Sequence, residues 1–418
     1  MDFLFLAWLF ICGTLSVFIV LAGIPKIIQL AKLKHLFDDP EDDRKIHEKN
    51  IPNIGGVVIL IALFTSFLLH PAAFLQSGIQ YLLAAVIVLI IIGLKDDLLV
   101  TSPAKKLLGQ LIAVSLLIFG AGIVIDDFGG VFGIHEISSY VAIPLTFFVF
   151  IVIINAVNLI DGIDGLASSV VIFTSLFFST WFYMTGDTTL FILSFLTAAS
   201  FLAFLYYNWS PATVFMGDTG SLNAGLILAY LGMQYLNTSL QTPELVYFQS
   251  SAPVILVAVF IIPLYDTLRV FLIRALNGNS PFAPDNNHIH HQFIDLGLSH
   301  SQTTLLLLFL NIVLVALTLF LSKFLSNTAL LLSLLAMAMI AFPTYEVKRK
   351  LIGRVRNRTS GVSPHPENLE NKEKAMDTTA LPVHGRELAT PLENGRGKES
   401  ALFPDEDAEA VEKSRLYS

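Results

Sequence analysis

The sequence predicts an all-α, polytopic membrane protein with about eleven transmembrane helices, and three observations carry that prediction. Apolar residues make up 54% of the 418 positions and charged residues 14%, against about 25% charge in an ordinary soluble domain. Apolar runs such as 3–22, 79–94, 107–125 and 303–321 reach or approach the roughly 20 residues that cross a bilayer core as helix. So many runs at regular spacing argue against buried core helices of one large soluble protein.

Polar breaks between the runs place helices near 3–23, 54–70, 79–94, 107–125, 141–158, 166–185, 188–207, 222–237, 252–273, 302–322 and 327–345. The first run opens on Met1-Asp2 and is followed by Lys26, Lys32 and Lys34. That charge order is the reverse of a secretory signal, so the run is expected to remain as the first span. Cys12, the single cysteine, has no partner for a disulfide. With the N-terminus outside, the gaps 71–78, 126–140, 186–187, 238–251 and 323–326 face out. Of 25 Lys and Arg, Lys323 alone falls in them. Basic residues gather on the cytoplasmic side, so the expected topology is N-out, C-in.

From about Thr359 the composition turns to Pro, Glu, Lys, Asn and Gly. The expected division is a membrane-embedded domain at 1–350 and a disordered cytoplasmic tail at 351–418. The stretch from Thr359 holds 12 acidic and 7 basic residues, most of the formal net charge of −8. The overall acidity therefore says nothing about the active site. No nucleic-acid partner is expected, and a homodimer is left open.

Ionisable residues at the ends of membrane spans are functional suspects, although ends tolerate them better than centres do. Four clusters stand out. Asp96-Asp97 closes the third run, with Lys105-Lys106 close behind; two adjacent acids also simply solvate a helix end. Asn155, Asn158, Asp161 and Asp164 recur every third residue and lie on one drifting stripe while helix lasts. Helix capping explains one or two of them but not the ladder, and four oxygen-bearing side chains with no basic neighbour call for a cation or for ligand donors. Asp218, in Met216-Gly217-Asp218-Thr219-Gly220-Ser221, sits in a glycine-bracketed turn. It reads either as a helix cap or as a carboxylate for Mg2+, which takes one or two carboxylates and completes its shell with water and phosphates. His288, His290 and His291 follow Arg274 in the loop after the ninth run. Zinc is the first thought, but no Cys partner and no His-Glu-x-x-His helix accompany them; anion contact by imidazole and guanidinium suits them better. The topology sends all four clusters to one face, as metal-assisted phosphoryl transfer between a soluble donor and a lipid acceptor requires.

These residues, with Arg44-Lys45-Ile46-His47 and Ile51-Pro52-Asn53-Ile54-Gly55-Gly56, resemble the polyprenyl-phosphate N-acetylhexosamine-1-phosphate transferases from about residue 38 to 300. That family includes undecaprenyl-phosphate N-acetylglucosaminyl 1-phosphate transferases and the phospho-muramoyl-pentapeptide translocase. The resemblance implies a multi-pass enzyme of the bacterial inner membrane. It would transfer N-acetylglucosamine-1-phosphate from UDP-N-acetylglucosamine to undecaprenyl phosphate and release UMP, with Mg2+ or in its place Mn2+. It further implies that Asn158 and Asp218 contact the metal and that Lys106, His288, His290 and His291 hold the pyrophosphate. Asp161 and Asp164 would lie by the nucleotide, and Phe215 would stack on uracil. Asn208 and Arg274 match functional positions, Asp39 matches an acid in the first cytoplasmic loop, and Asn286 departs from a basic residue common in relatives.

Under this resemblance Asp96 is the candidate base, while Asp96 and Asp97 serve equally well to orient Lys106 or the metal, because a phosphate monoester with its second pKa near 6 is already largely dianionic at neutral pH. Other readings are a muramoyl-pentapeptide transferase, a transferase for another UDP-amino sugar, an ion-coupled transporter, and a scaffold or lipid receptor without catalysis. Transporter sites lie near the bilayer midplane on broken helices, whereas these acids sit at span ends.

Overall fold

The computed structural model of the protein describes residues 3–34, 51–99, 101–241, 251–276 and 288–342. In chain order its helices are α1 (Phe3–Lys34), α2 (Gly55–Leu69), α3 (Ile79–Leu98), α4 (Pro103–Ser115, continued by a π turn at Leu116–Gly120), α5 (Ser139–Leu159), α6 (Leu166–Thr185), α7 (Thr188–Asn208), α8 (Gly217–Gln241), α9 (Ala252–Val259), α10 (Ile261–Leu276), α11 (Ile289–Asp295), α12 (His300–Leu321) and α13 (Asn327–Ala341). Every one of the eleven apolar runs holds a helix. Seven of the described helices are long and apolar enough to cross a membrane, or eight if α9 and α10 form one bent span. Helices α2 and α13 are apolar but shorter. Helix α8 has the length, with 25 residues, but carries Asp218, Asn223, Gln234 and Asn237.

The boundaries move in four instructive places. Helix α1 runs eleven residues beyond the expected end, through Pro25, because Ile27, Ile28 and Leu30 continue its apolar face. Helix α8 begins at Gly217, so Asp218 lies in its first turn and not in a loop before it. The histidines expected in a loop belong to the short helix α11. The ninth run breaks at Phe260, where α9 and α10 meet at 77°. Pro263 accounts for the break, since it has no N–H for the Val259 carbonyl and its ring crowds that position. Asn311 of α12, fully buried, offers its amide to that carbonyl at 3.5 Å.

The all-α expectation is corrected at one point. The gap 126–140 folds as an antiparallel hairpin, β1 (Asp127–Val131) with β2 (Ile134–Glu136), pairing Asp127 with Glu136 and Val131 with Ile134. The Phe132 N–H donates to Thr328 Oγ1 at the start of α13 at 2.7 Å. A strand of five residues and one of three are too short to announce themselves in an apolar-run reading.

Helix α8 is the axis of the fold, packed against α2, α3, α5, α6 and α9. Membrane helices associate through close backbone packing at small residues, and α8 uses glycine for it. A Cβ on Gly225 would stand 2.7 Å from Ile154 Cα of α5, and one on Gly93 of α3 would stand 2.6 Å from Thr219 Cα. Around this axis Tyr230, Tyr235, Phe178, Phe204 and Phe260 are fully buried. By its contacts the chain divides into Met1–Arg356 and Asn357–Ser418. Asp39, Asn286, the Arg44–His47 motif and the 351–418 tail lie outside the described residues.

Candidate active site

The site is built on the N-terminus of α8, whose first backbone N–H groups have no partner within the helix. Asp97, at the end of α3, supplies the partner. Its Oδ1 accepts from the Asp218 N–H at 2.7 Å, and its Oδ2 accepts from the Thr219 N–H at 3.0 Å and the Thr219 hydroxyl at 2.6 Å. Both oxygens of Asp97 are thereby turned onto the helix. The segment before α2 holds the same turn from the other side: Phe215 N–H donates to Pro52 O at 2.9 Å, Gly55 N–H to Phe215 O at 3.0 Å and Gly56 N–H to Met216 O at 2.9 Å. Gly217 has φ +67°, and a Cβ there would collide with Asn53 O, so this strap needs glycine at that point.

Held in this way, Asp218 points its carboxylate at two partners. Lys106 Nζ of α4 donates to Oδ2 at 2.6 Å, and Asn158 Nδ2 of α5 donates to Oδ1 at 3.1 Å. Lys106 also reaches Asp96 Oδ2 at 2.7 Å, while Asp96 Oδ1 accepts from the Thr101 N–H at 2.9 Å. Asn158 further donates to Ser221 Oγ at 2.7 Å. One stripe residue is spent otherwise: Asn155 exchanges amide hydrogen bonds with Gln110 at 2.9 and 3.1 Å.

The turn after α5 separates two aspartates that the sequence treats alike. Burial, and then the charges of Asp218, Asp97 and Asp164, raise the Asp161 carboxyl well above the usual carboxylate range. Burial pushes Asp164 the same way, but His300 and the Ala212 N–H outweigh it and hold Asp164 below that range. Asp164 Oδ2 accepts from Ala212 N at 3.1 Å and lies 3.5 Å from His300 Nδ1. Asn208 is likewise drawn into the frame. Its Oδ1 accepts from Gly165 N at 3.2 Å and Ser168 Oγ at 2.9 Å, its Nδ2 donates to Val214 O at 3.1 Å, and it is buried.

The histidines take unequal places. His288 is buried, with Nδ1 3.0 Å from Asp266 Oδ2. His290 is buried with its Nδ1 4.0 Å from the same oxygen. A Cβ on Gly162 would lie 2.5 Å from His290 Nε2, so the histidine helix meets the turn carrying Asp161. Burial pushes His290 down to about 3, and burial and then His288 lower the half-buried His291, which packs on His290 at 4.4 Å between ring centroids. Burial thus favours the neutral imidazole at His290. Arg274 is buried near the end of α10, and Phe215 is half-buried beside the strap.

Sequence reasoning missed Gln110, His300 and above all Asp266. For Asp266 a signal existed, because a carboxylate inside an apolar run is costly and asks for a partner.

Among the described residues no group of three or more His, Cys, Asp or Glu is arranged to hold a metal. A divalent cation that keeps water and takes phosphate oxygens needs less. Asn158 uses its amide nitrogen on Asp218 and Ser221, leaving Oδ1 without a protein donor among the described residues, and Asp161 stands among carboxylates that a cation would relieve. This donor set fits Mg2+.

The comparisons with known proteins agree with this arrangement. The family model described as Glycosyl transferase family 4 matches residues 79–236, which span the Asp96-Asp97 pair, Lys106, the Asn158–Asp164 turn and the start of α8. Over 299 residues the chain is 31% identical to a Bacillus subtilis protein named "Probable undecaprenyl-phosphate N-acetylglucosaminyl 1-phosphate transferase", covering 71% of this chain and 80% of that one. It is 31% identical over 310 residues to the undecaprenyl-phosphate alpha-N-acetylglucosaminyl 1-phosphate transferase of Haemophilus influenzae, covering 72% and 84%. A decaprenyl-phosphate N-acetylglucosaminephosphotransferase of Mycolicibacterium smegmatis is 30% identical over 286 residues, covering 63% and 70%. With Asp97, Lys106 and Asn158 of three helices meeting at one capped helix end and relatives that share most of their length with it, the chain belongs to glycosyl transferase family 4, the polyprenyl-phosphate N-acetylhexosamine-1-phosphate transferases.

Proposed function

We propose that this protein transfers N-acetylglucosamine-1-phosphate from UDP-N-acetylglucosamine to undecaprenyl phosphate at the cytoplasmic face of a bacterial inner membrane, which it crosses with eleven spans, N-out and C-in. The observation that carries the reading is Lys106 bridging Asp96 and Asp218 at a helix end shared with Asn158 and near Asp161. Phosphoryl transfer asks chiefly for positioning and charge stabilisation, and this cluster supplies both.

In the reaction an oxygen of the polyprenyl phosphate attacks the sugar-bearing phosphorus of the donor. The bond from that phosphorus to the bridging oxygen of UMP breaks, UMP leaves, and a polyprenyl diphosphate sugar remains. No proton need be removed from the nucleophile, and both Asp96 oxygens are already engaged, so Asp96 acts by holding Lys106 against the reacting phosphates. Asp97 positions Asp218 through the α8 N-terminus, and Asn208 positions the loop that brings Phe215 to the uracil. Mg2+, replaceable by Mn2+, would be held by Asp218, the Asn158 oxygen and Asp161, and would neutralise charge on the diphosphate. His288, His291 and Arg274 contact the donor's phosphates or sugar, with neutral His290 packed behind them, and Asp164 braces the nucleotide turn.

The test is transfer of radiolabel from UDP-N-acetylglucosamine to undecaprenyl phosphate by detergent-purified protein, with UMP measured alongside. Label in the lipid with matching UMP is expected, with UDP-N-acetylgalactosamine as the next best donor. Faster transfer of muramoyl-pentapeptide phosphate reassigns the substrate, and no UMP from any UDP-sugar overturns the reading in favour of transport or lipid binding.

A further inference from the structure

Asp266 has no role in the mechanism above, yet among the described residues it is one of the most buried carboxylates, at 2% exposure. A buried carboxylate persists where hydrogen bonds replace its water. Two here come from one short element: Ile289 N–H donates to Oδ1 at 2.8 Å, and His288 Nδ1 stands 3.0 Å from Oδ2. An ionised carboxylate only accepts, so with Asp266 ionised the His288 proton in that contact sits on Nδ1. The Ile289 N–H is a first-turn donor of α11, so the same side chain fixes both the start of the helix and the ring orientation of the residue that precedes it. One residue further, His290 stacks on His288, with centroids 5.6 Å apart and planes 5° from parallel, and carries the orientation to Gly162 beside Asp161. Among the described residues its buried Nε2 has no hydrogen-bond partner, and contact with Gly162 and with the His288 ring holds it in place.

We propose that Asp266 is a positioning residue for the transfer reaction, setting the tautomer and orientation of His288 and, through α11, seating His290 against the Asp161 turn. The proposal rests on the functional reading above. With Nδ1 committed to Asp266, His288 presents Nε2 as its chemically available nitrogen. Exchange of the carboxylate for an amide of the same shape keeps an oxygen for Ile289 N–H but turns an NH2 towards Nδ1. His288 then accepts at Nδ1 and carries its proton on Nε2.

The experiment is Asp266→Asn in the full-length protein, with histidine-selective 15N spectra in detergent, His288 assigned by its loss in His288→Ala, and steady-state transfer from UDP-N-acetylglucosamine. The expected result is a shift of the His288 proton from Nδ1 to Nε2 and a fall in kcat of on the order of 10²-fold or more with KM changed less than about threefold. Because Asp266→Asn keeps the acceptor for Ile289 N–H and alters only the contact with His288, the double variant should be no more than about threefold worse than His288→Ala alone. An unchanged tautomer, wild-type turnover, or losses that multiply in the double variant overturns the assignment. Wild-type protein that transfers nothing from a UDP-sugar overturns the functional reading, and the nitrogen spectra then decide the Asp266 assignment by themselves.

Discussion

Lys106 is the residue on which the charge balance of the site turns. It lies 2.7 Å from Asp96 and 2.6 Å from Asp218, in partly buried surroundings where a charge pair is screened less than at an open surface. Lys106→Gln keeps a donor, one atom closer to the backbone, but removes the charge, and transfer should fall by about 10²-fold to 10³-fold, the usual cost of losing a preorganised charge stabiliser. Asp218→Asn should cost at least as much and recover only partly with excess Mg2+ or Mn2+, read from UMP release against metal concentration. Asp161 adds a pH signature. Its native carboxyl is raised by burial first and by Asp218, Asp97 and Asp164 next, so the folded protein holds this proton to higher pH than the unfolded chain does. Its contribution to stability is full below the ordinary carboxylate pKa of about 3.9 and is lost as pH rises through the native value. Chelator-treated Asp161→Asn should therefore melt higher than wild type at neutral pH, with the gap closing towards pH 4 and on adding Mg2+.

At the level of elements, the N-terminus of α8 is where the fold and the chemistry meet. Asp97 satisfies three donors there, and losing an N-terminal cap costs about 0.5–2 kcal/mol. Asp97→Asn should lower the melting temperature and the activity together, whereas Asp96→Asn, which leaves that cap intact, should lower activity with less effect on melting. Thermal unfolding in detergent beside the transfer assay separates the two. Gly93 tests the packing of the same end. With Thr219 N and Cα at 2.7 and 2.6 Å from its virtual Cβ, Gly93→Ala must push α8 from α3, at the 1–3 kcal/mol typical of overpacking. Since the displaced residue neighbours Asp218, activity should fall more than stability alone accounts for.

Across the whole molecule, a single site requires Asp96, Asp161, Asp218 and the histidines on one side of the membrane. Reporter fusions after residues 130 and 245 should read as outside, and fusions after 100, 285 and 360 as cytoplasmic. An outside signal at 285 would separate the histidine helix from the acids and is incompatible with the contact between Gly162 and His290. The β1–β2 hairpin, tied to α13 through Phe132 and Thr328, lies in a gap that the same topology sends to the opposite side from the acids.

How much of this was legible in the sequence depends on the range over which each feature is encoded. Helix identity is local, because an apolar run in lipid has no other way to satisfy its backbone, and so all eleven runs hold helices. Motif chemistry is local too: Asp96, Lys106, Asn158, Asp161 and Asp218 were recognisable by residue type and position, and their family by the motifs they form. What the two aspartates of one motif do is not local. Asp97 caps α8 while Asp96 grips Lys106, and Asp161 stays among charges while Asp164 is drawn to Ala212 and His300. Nor could the run at 252–273 show that Pro263 breaks it or that Asp266 meets His288 from 22 residues away. Hydrophobicity and residue type are properties of the chain itself, so the sequence determined the apolar helices and the chemical vocabulary of the site. Roles depend on which donors tertiary packing brings within hydrogen-bonding distance of each carboxylate, and that only the folded structure decided.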